Sequence, residues 1–186
     1  PANQTACEGD DDVCFTTTPS GAGPFTFKWT KTGSASVLST TDTLCIEDIE
    51  EGDEGEYCVE VTGECNKATQ CATLTVDELT TSTDRTNQTV CEGADPCFST
   101  TPSGAGPFTF QWTKTGSASV LSTTSQLCLT DVDESDEGEY CVKVTGKCNF
   151  VTQCVNLTVE ESVRTTDPDD KSACEGEDVC FTTTPS

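Results

Sequence analysis

The sequence predicts an all-β protein of tandem sandwich domains stapled by disulfides. Three observations carry that expectation. The chain repeats itself: "TTPSGAGPFTFKWTKTGSASVLSTT" at 17–41 returns at 100–124 with one change, Lys28 to Gln111. Cys45, Cys58, Cys65 and Cys71 return as Cys128, Cys141, Cys148 and Cys154, always 83 residues on. Self-similarity at a fixed period is the mark of a domain array. The second observation is 14 cysteines with no histidine. Such a count reads as a disulfide framework in a secreted or surface-exposed protein. The missing histidines, and the lack of a tight C-x-x-C pair, weaken a zinc reading. The third is patterning: Thr is abundant, apolar residues alternate with polar ones, and Gly/Pro/Ser clusters punctuate the runs.

The elements follow in order. "VCFTTTPS" from Val13 and "FTFKWTKTG" from Phe25 read as strands joined by a tight "GAGP" turn. "TLCIED" from Thr43, "GEYCVEVTG" from Gly55 and "ATQCATLTV" from Ala68 read as three more. Polar, Thr-rich linkers lie at 77–86 and 160–171 and can lend residues to a first strand. A third copy begins at "ACEGEDVCFTTTPS", 173–186. The expected domains are repeat 1 at 1–79, repeat 2 at 80–162, and the first two strands of a third repeat at 163–186, with further repeats following.

Composition excludes several function classes. Nine Lys+Arg against 33 Asp+Glu give a net charge of -24, which argues against nucleic acid or an anionic membrane as partner. No apolar run approaches the roughly 20 residues of a membrane helix. With no signal peptide and no initiator Met, the chain reads as a piece of a longer, processed polypeptide. Lack of histidine removes the commonest general base, and no carboxylate pair stands out as catalytic, so no enzyme and no cofactor are expected.

"DEGEYCV" occurs at 53–59 and again at 136–142. It resembles strand F of immunoglobulin-like domains, where Asp-x-Gly-x-Tyr-x-Cys puts a cysteine two places after the tyrosine. Here Cys58 and Cys141 come one place after it, and Val59 and Val142 stand at the family's cysteine position. With "ANQTACEG", "V-x-F", Trp29, "L-x-I" at 44–46 and "ATLTV", the pattern resembles tandem immunoglobulin-like domains of secreted and surface proteins of bacteria, Bacteroidota above all. The resemblance implies a two-sheet sandwich, with Trp29 and Trp112 in the cores and Tyr57 and Tyr140 in tyrosine corners.

Alternation along a strand then places the cysteines. Val13 and Phe15 flank Cys14, Leu44 and Ile46 flank Cys45, and Tyr57 and Val59 flank Cys58. If the apolar flanks face the core, the cysteines face out. The usual inter-sheet bridge would join the positions of Thr17 and Val59, and neither is cysteine. Strands B and E are neighbours in one sheet of such a sandwich, F and G in the other. The expected bridges are therefore Cys14–Cys45, Cys58–Cys71, Cys97–Cys128 and Cys141–Cys154. Cys7, in the A–B turn, and Cys65, in the F–G turn, lie at opposite ends of one domain, too far apart to bond there. In a head-to-tail array the bottom of one domain meets the top of the next. An inter-domain Cys7–Cys148 bridge is expected, with Cys65 and Cys91 making the same link to other domains. Its competitor is a local Cys7–Cys14 loop.

Acids cluster at 8–12, 47–56 and 131–138. They read either as junctional calcium ligands or as a solvated acidic face. Glycan candidates are the sequons at Asn3, Asn87 and Asn156, and Thr43 in "DTL", which matches the O-glycosylation motif of Bacteroidota. Two functions fit. One is a structural repeat of an extracellular filament, pilus-like fibre or adhesin stalk, whose partners are neighbouring copies of itself. The other is an adhesion module binding a glycan or protein through the repeated "TKTGSASVLSTT" segment.

Overall fold

Period-two alternation sets the strands in the computed structural model, which describes residues 1–83, 86–163 and 170–182. In the first repeat these are β1 (Gln4–Cys7), β2 (Asp12–Thr16), β3 (Thr26–Lys31), β4 (Thr43–Glu47), β5 (Gly55–Thr62) and β6 (Lys67–Asp77). They form a four-stranded sheet, β1-β6-β5-β3, and a two-stranded sheet, β2-β4. Along β6, Ala72, Leu74 and Val76 are buried while Cys71, Thr73 and Thr75 are exposed.

The buried sides of the two sheets make one core. Trp29 is fully buried, and its Nε1–H donates to the Thr41 carbonyl at 3.0 Å, so the indole leaves no orphan donor. Phe15 lies between Tyr57 and Trp29, with ring centroids 5.5 and 6.3 Å away. The Tyr57 hydroxyl donates to the Asp53 carbonyl at 2.8 Å, closing a tyrosine corner over the Glu51–Asp53 turn. Val59, Leu44, Ile49 and Leu74 complete the core.

The second repeat carries β8 (Gln88–Cys91), β9 (Cys97–Ser99), β11 (Thr109–Lys114), β12 (Val120–Ser122), β13 (Gln126–Cys128), β14 (Gly138–Thr145) and β15 (Phe150–Glu160). Two short strands, β7 (Thr81–Ser82) and β10 (Pro102–Ser103), pair antiparallel with each other. The chain divides into two compact units whose borders cut across the repeats. One takes Pro1–Thr83, Thr101–Phe110 and Lys143–Thr152; the other takes Asp84–Thr100, Gln111–Val142 and Gln153–Ser186.

Two details differ from expectation. Cys7 is the last residue of β1, in parallel register with Asp77, rather than part of the following turn. The strands expected for the third repeat are not formed within 170–182, which hold only a turn at 175–176. In the first repeat β1 pairs with β6 and β2 with β4. Within 170–182 neither expected strand finds such a partner, and an unpaired strand leaves its backbone groups unsatisfied.

Candidate functional site

The chemistry-bearing side chains are the cysteines, and the strand register positions most of them. Cys14 stands opposite Cys45 in the β2–β4 pair, and Cys58 opposite Cys71 in the β5–β6 pair. Both pairs are bonded, as are Cys97–Cys128 and Cys141–Cys154. Each of the eight has at least one inward-facing apolar neighbour in its strand, so each bridge sits on the outer face of its sheet. Asp12, Glu56 and Glu139 approach these bridges, but a disulfide sulfur offers no thiolate to a metal.

A fifth bond joins Cys7 to Cys148, 141 residues apart in sequence, with Cα atoms separated by 5.6 Å. Both residues belong to the same compact unit. Around them the segment after β6 seats against two loops of the second repeat. Lys147 forms an ion pair with Asp77. The Ala105 N–H donates to the Glu78 carbonyl at 3.1 Å. Asn149 brackets Thr80: its Oδ1 accepts the Thr80 N–H at 2.6 Å and its Nδ2 donates to the Thr80 carbonyl at 3.4 Å. Thr81 and Ser103 share a hydroxyl hydrogen bond of 2.6 Å beside the β7–β10 pairing. Thr80 is 1% exposed. The glycines of the receiving loops are part of the fit. A Cβ on Gly146 would collide with the Thr80 hydroxyl, and one on Gly104 with the Leu79 carbonyl oxygen.

Sequence reasoning missed this seat, treating 77–86 as a linker. The available signal was the pairing of "PSGAGPF" with a glycine two residues before a cysteine, Gly146 before Cys148, which leaves room for a backbone to approach.

Cys65, Cys91, Cys174 and Cys180 are unbonded and exposed. The acidic clusters are largely engaged with their own backbone. Asp10 accepts the Cys7 N–H, Asp53 the Glu50 N–H and Glu54 the Val76 N–H. Hydrogen bonds from the Ser135 hydroxyl and amide hold Asp133 below the usual carboxylate range. Lys67 does the same for Glu60. Glu92, Asp131, Asp133 and Ser162 line a hollow of about 290 Å³. Among the described residues no three carboxylates gather closely enough to share an ion. Asn3, Asn87 and Asn156 are exposed, and Asn3 and Asn87 accept the N–H of Thr73 and Asn156. Thr43 is half-buried, at the start of β4. The repeated "TKTGSASVLSTT" segment exposes Val37 and Leu38, and again Val120 and Leu121.

Comparison with known proteins places the fold. Residues 1–76 match the family model of the immunoglobulin I-set domain. No curated protein matches the chain by sequence. Among solved structures, the I-band fragment I67–I69 from titin superposes with a TM-score of 0.73 at 16% identity, over 100% of this chain and 74% of that one. DIP-gamma IG1+IG2 superposes with a TM-score of 0.62 at 17% identity, covering 85% of this chain and 93% of its own. Domains 3–5 of the Drosophila OTK extracellular region do so at 0.62 and 16%, over 86% and 60%. The chain is all-β with an immunoglobulin-like fold, and its likeness is to tandem immunoglobulin domains.

Proposed function

We propose that this chain is a structural repeat unit of an extracellular filament, pilus-like fibre or adhesin stalk, in which neighbouring copies of itself are the partners. One observation carries the reading: a disulfide, Cys7–Cys148, ties one repeat to the next, while four others staple the sheets from outside. A bond between successive repeats limits their relative motion without adding any surface for a ligand. Near-identical repeats also present near-identical surfaces, which suits regular head-to-tail or lateral packing. Five disulfides support an extracellular or cell-surface location. The resemblance to immunoglobulin-like domains of bacterial surface proteins supports a bacterial source. Exposed Asn3, Asn87 and Asn156, with Thr43, are the proposed glycan positions.

A second reading, an adhesion module, is favoured by the exposed pairs Val37–Leu38 and Val120–Leu121, although their segment has no aromatic anchor of the kind that dominates binding hot spots. Electron microscopy of native material separates the two. Periodic fibres support the structural role; isolated beads with measurable affinity for a glycan or protein support the other.

A further inference from the structure

The first repeat carries receiving loops of nearly the same sequence as the second, and none of the described residues seats in them as Thr80 does in the second. "TTPSGAGPF" is identical at 17–25 and 100–108. At 102–103 it forms β10 because β7 pairs with it; at 19–20 the same residues form no strand. A Cβ on Gly104 would collide with Leu79, whereas one on Gly21 meets nothing within 4 Å. Asn149 brackets Thr80, whereas its counterpart Asn66 is exposed. Cys148 is bonded, whereas its counterpart Cys65 is free. Pro19, Gly21, Phe25, Gly63, Cys65 and Asn66 line a cavity of about 260 Å³.

The second repeat in turn repeats the inserting half. Cys91 stands in parallel register with Glu160, as Cys7 stands with Asp77. Glu92 N–H donates to the Glu160 carbonyl, as Glu8 N–H does to Asp77. Three residues beyond Glu160 comes Val163, 83 residues after Thr80. Thr80 is 1% exposed and its hydroxyl lacks a partner among the described residues; Val163 is 84% exposed. Valine has the shape of threonine without the hydroxyl, so it suits a seat that satisfies no hydroxyl.

We infer that the groove between residues 19–25 and 61–66 is the docking site for a second copy of this chain, which enters it with Glu161–Val163 and bonds its Cys91 to Cys65. The inference rests on the filament reading, whose subunits it joins. The interface is head-to-tail, so its repetition builds an open fibre wherever the rotation between copies does not close a ring. Bond formation takes a low-molecular-weight disulfide as oxidant. The Cys91 thiolate attacks glutathione disulfide and releases one glutathione. The Cys65 thiolate then attacks the mixed disulfide at the Cys91 sulfur and releases the second. Two protein thiols are oxidised, and one glutathione disulfide is reduced to two thiols. One contact changes sign: Glu64 stands where Lys147 pairs with Asp77, so the new joint sets Glu64 near Glu160. Salt screens that repulsion and promotes docking.

The test incubates the whole 186-residue chain with reduced and oxidised glutathione, then maps disulfides without reduction and measures mass by light scattering. The expected result is a ladder of species in which Cys65–Cys91 is the dominant new bond, with Cys7–Cys148 intact. Cys174 and Cys180 are equally exposed but lack the inserting segment, so random pairing of Cys65 with them would overturn the proposal. Val163→Asp should slow Cys65–Cys91 formation about tenfold or more, because docking would bury an unpaired carboxylate. Glu64→Lys should speed it. An unchanged rate in Val163→Asp, or no Cys65–Cys91 bond at all, would also overturn it. Native fibres with Cys65 free would sink this joint and leave the filament reading standing. Cys65–Cys91 ladders in a protein whose native form is isolated beads would sink the filament reading and leave the docking site.

Discussion

Cys58 and Cys71 stand directly opposite each other in the β5–β6 pair, with Cα atoms 4.0 Å apart, and both lie on the face of the sheet turned from the core. The bridge therefore removes no apolar contact when it breaks. Its contribution is to the unfolded chain, whose loops it shortens. Val59, at the position that the immunoglobulin family gives to cysteine, is left free to fill the core.

That separation of staple from core can be measured. The double variant Cys14→Ser, Cys45→Ser should fold to the same sandwich, with unchanged far-UV circular dichroism and a buried tryptophan. Its stability should fall by ~2–4 kcal/mol in chemical denaturation. A molten spectrum would show that the bridges hold the core together as well.

Trp29 tests the core itself. Trp29→Ala should cost ~3–5 kcal/mol through lost burial and the cavity left beside Phe15. In the native protein the emission should be that of a buried indole. Emission typical of a solvated indole would refute the β3 register.

The tyrosine corners carry a pH dependence. Burial, and then the Asp53 charge, raise the Tyr57 hydroxyl above the usual tyrosine range; burial and Asp136 do the same for Tyr140. Each folded pKa lies above its unfolded value of 10.0, so the folded state holds these protons more tightly. The stabilising contribution is complete below pH 10 and is lost as pH rises through the folded values. Short alkaline melts should show Tm falling over that window. The Tyr57→Phe, Tyr140→Phe variant should be less stable at neutral pH, yet lose less on going alkaline.

Outward cysteines were legible because period two is local: Tyr57 and Val59 on either side of Cys58 decide its face. The F–G hairpin was legible for the same reason, whereas the two core tryptophans were legible through the immunoglobulin resemblance. The seat of Thr80 was not. "LTTST" carries no alternation of apolar and polar residues, and its partner strand Pro102–Ser103 has the same sequence as Pro19–Ser20, which forms none. Whether that sequence becomes a strand depends on a segment arriving from elsewhere. Cys7 was misplaced by a related cause: β1 is four residues long and is defined by parallel pairing with β6, which no local pattern announces.

The Thr80 seat itself yields the last expectation. Asn149 supplies both hydrogen bonds to the Thr80 backbone, and Thr80 is almost wholly buried. Asn149→Ala removes both and leaves a buried N–H and carbonyl with nothing to satisfy them, at a cost of ~1–3 kcal/mol. Because the loss falls on one segment, it should appear as local opening. Hydrogen exchange at the Thr80 amide should rise strongly while exchange in β5 and β6 stays unchanged. The Cys7–Cys148 bond, 3.7 Å from the Asp77 carbonyl at its Cys148 sulfur, should be reduced faster by a small thiol than in the parent. Cys14–Cys45, remote from the seat, should be reduced at the parent rate and serves as the internal control. Equal exchange at Thr80 in variant and parent would mean that the segment is held by the disulfide alone, and that Asn149 contributes nothing to the seat.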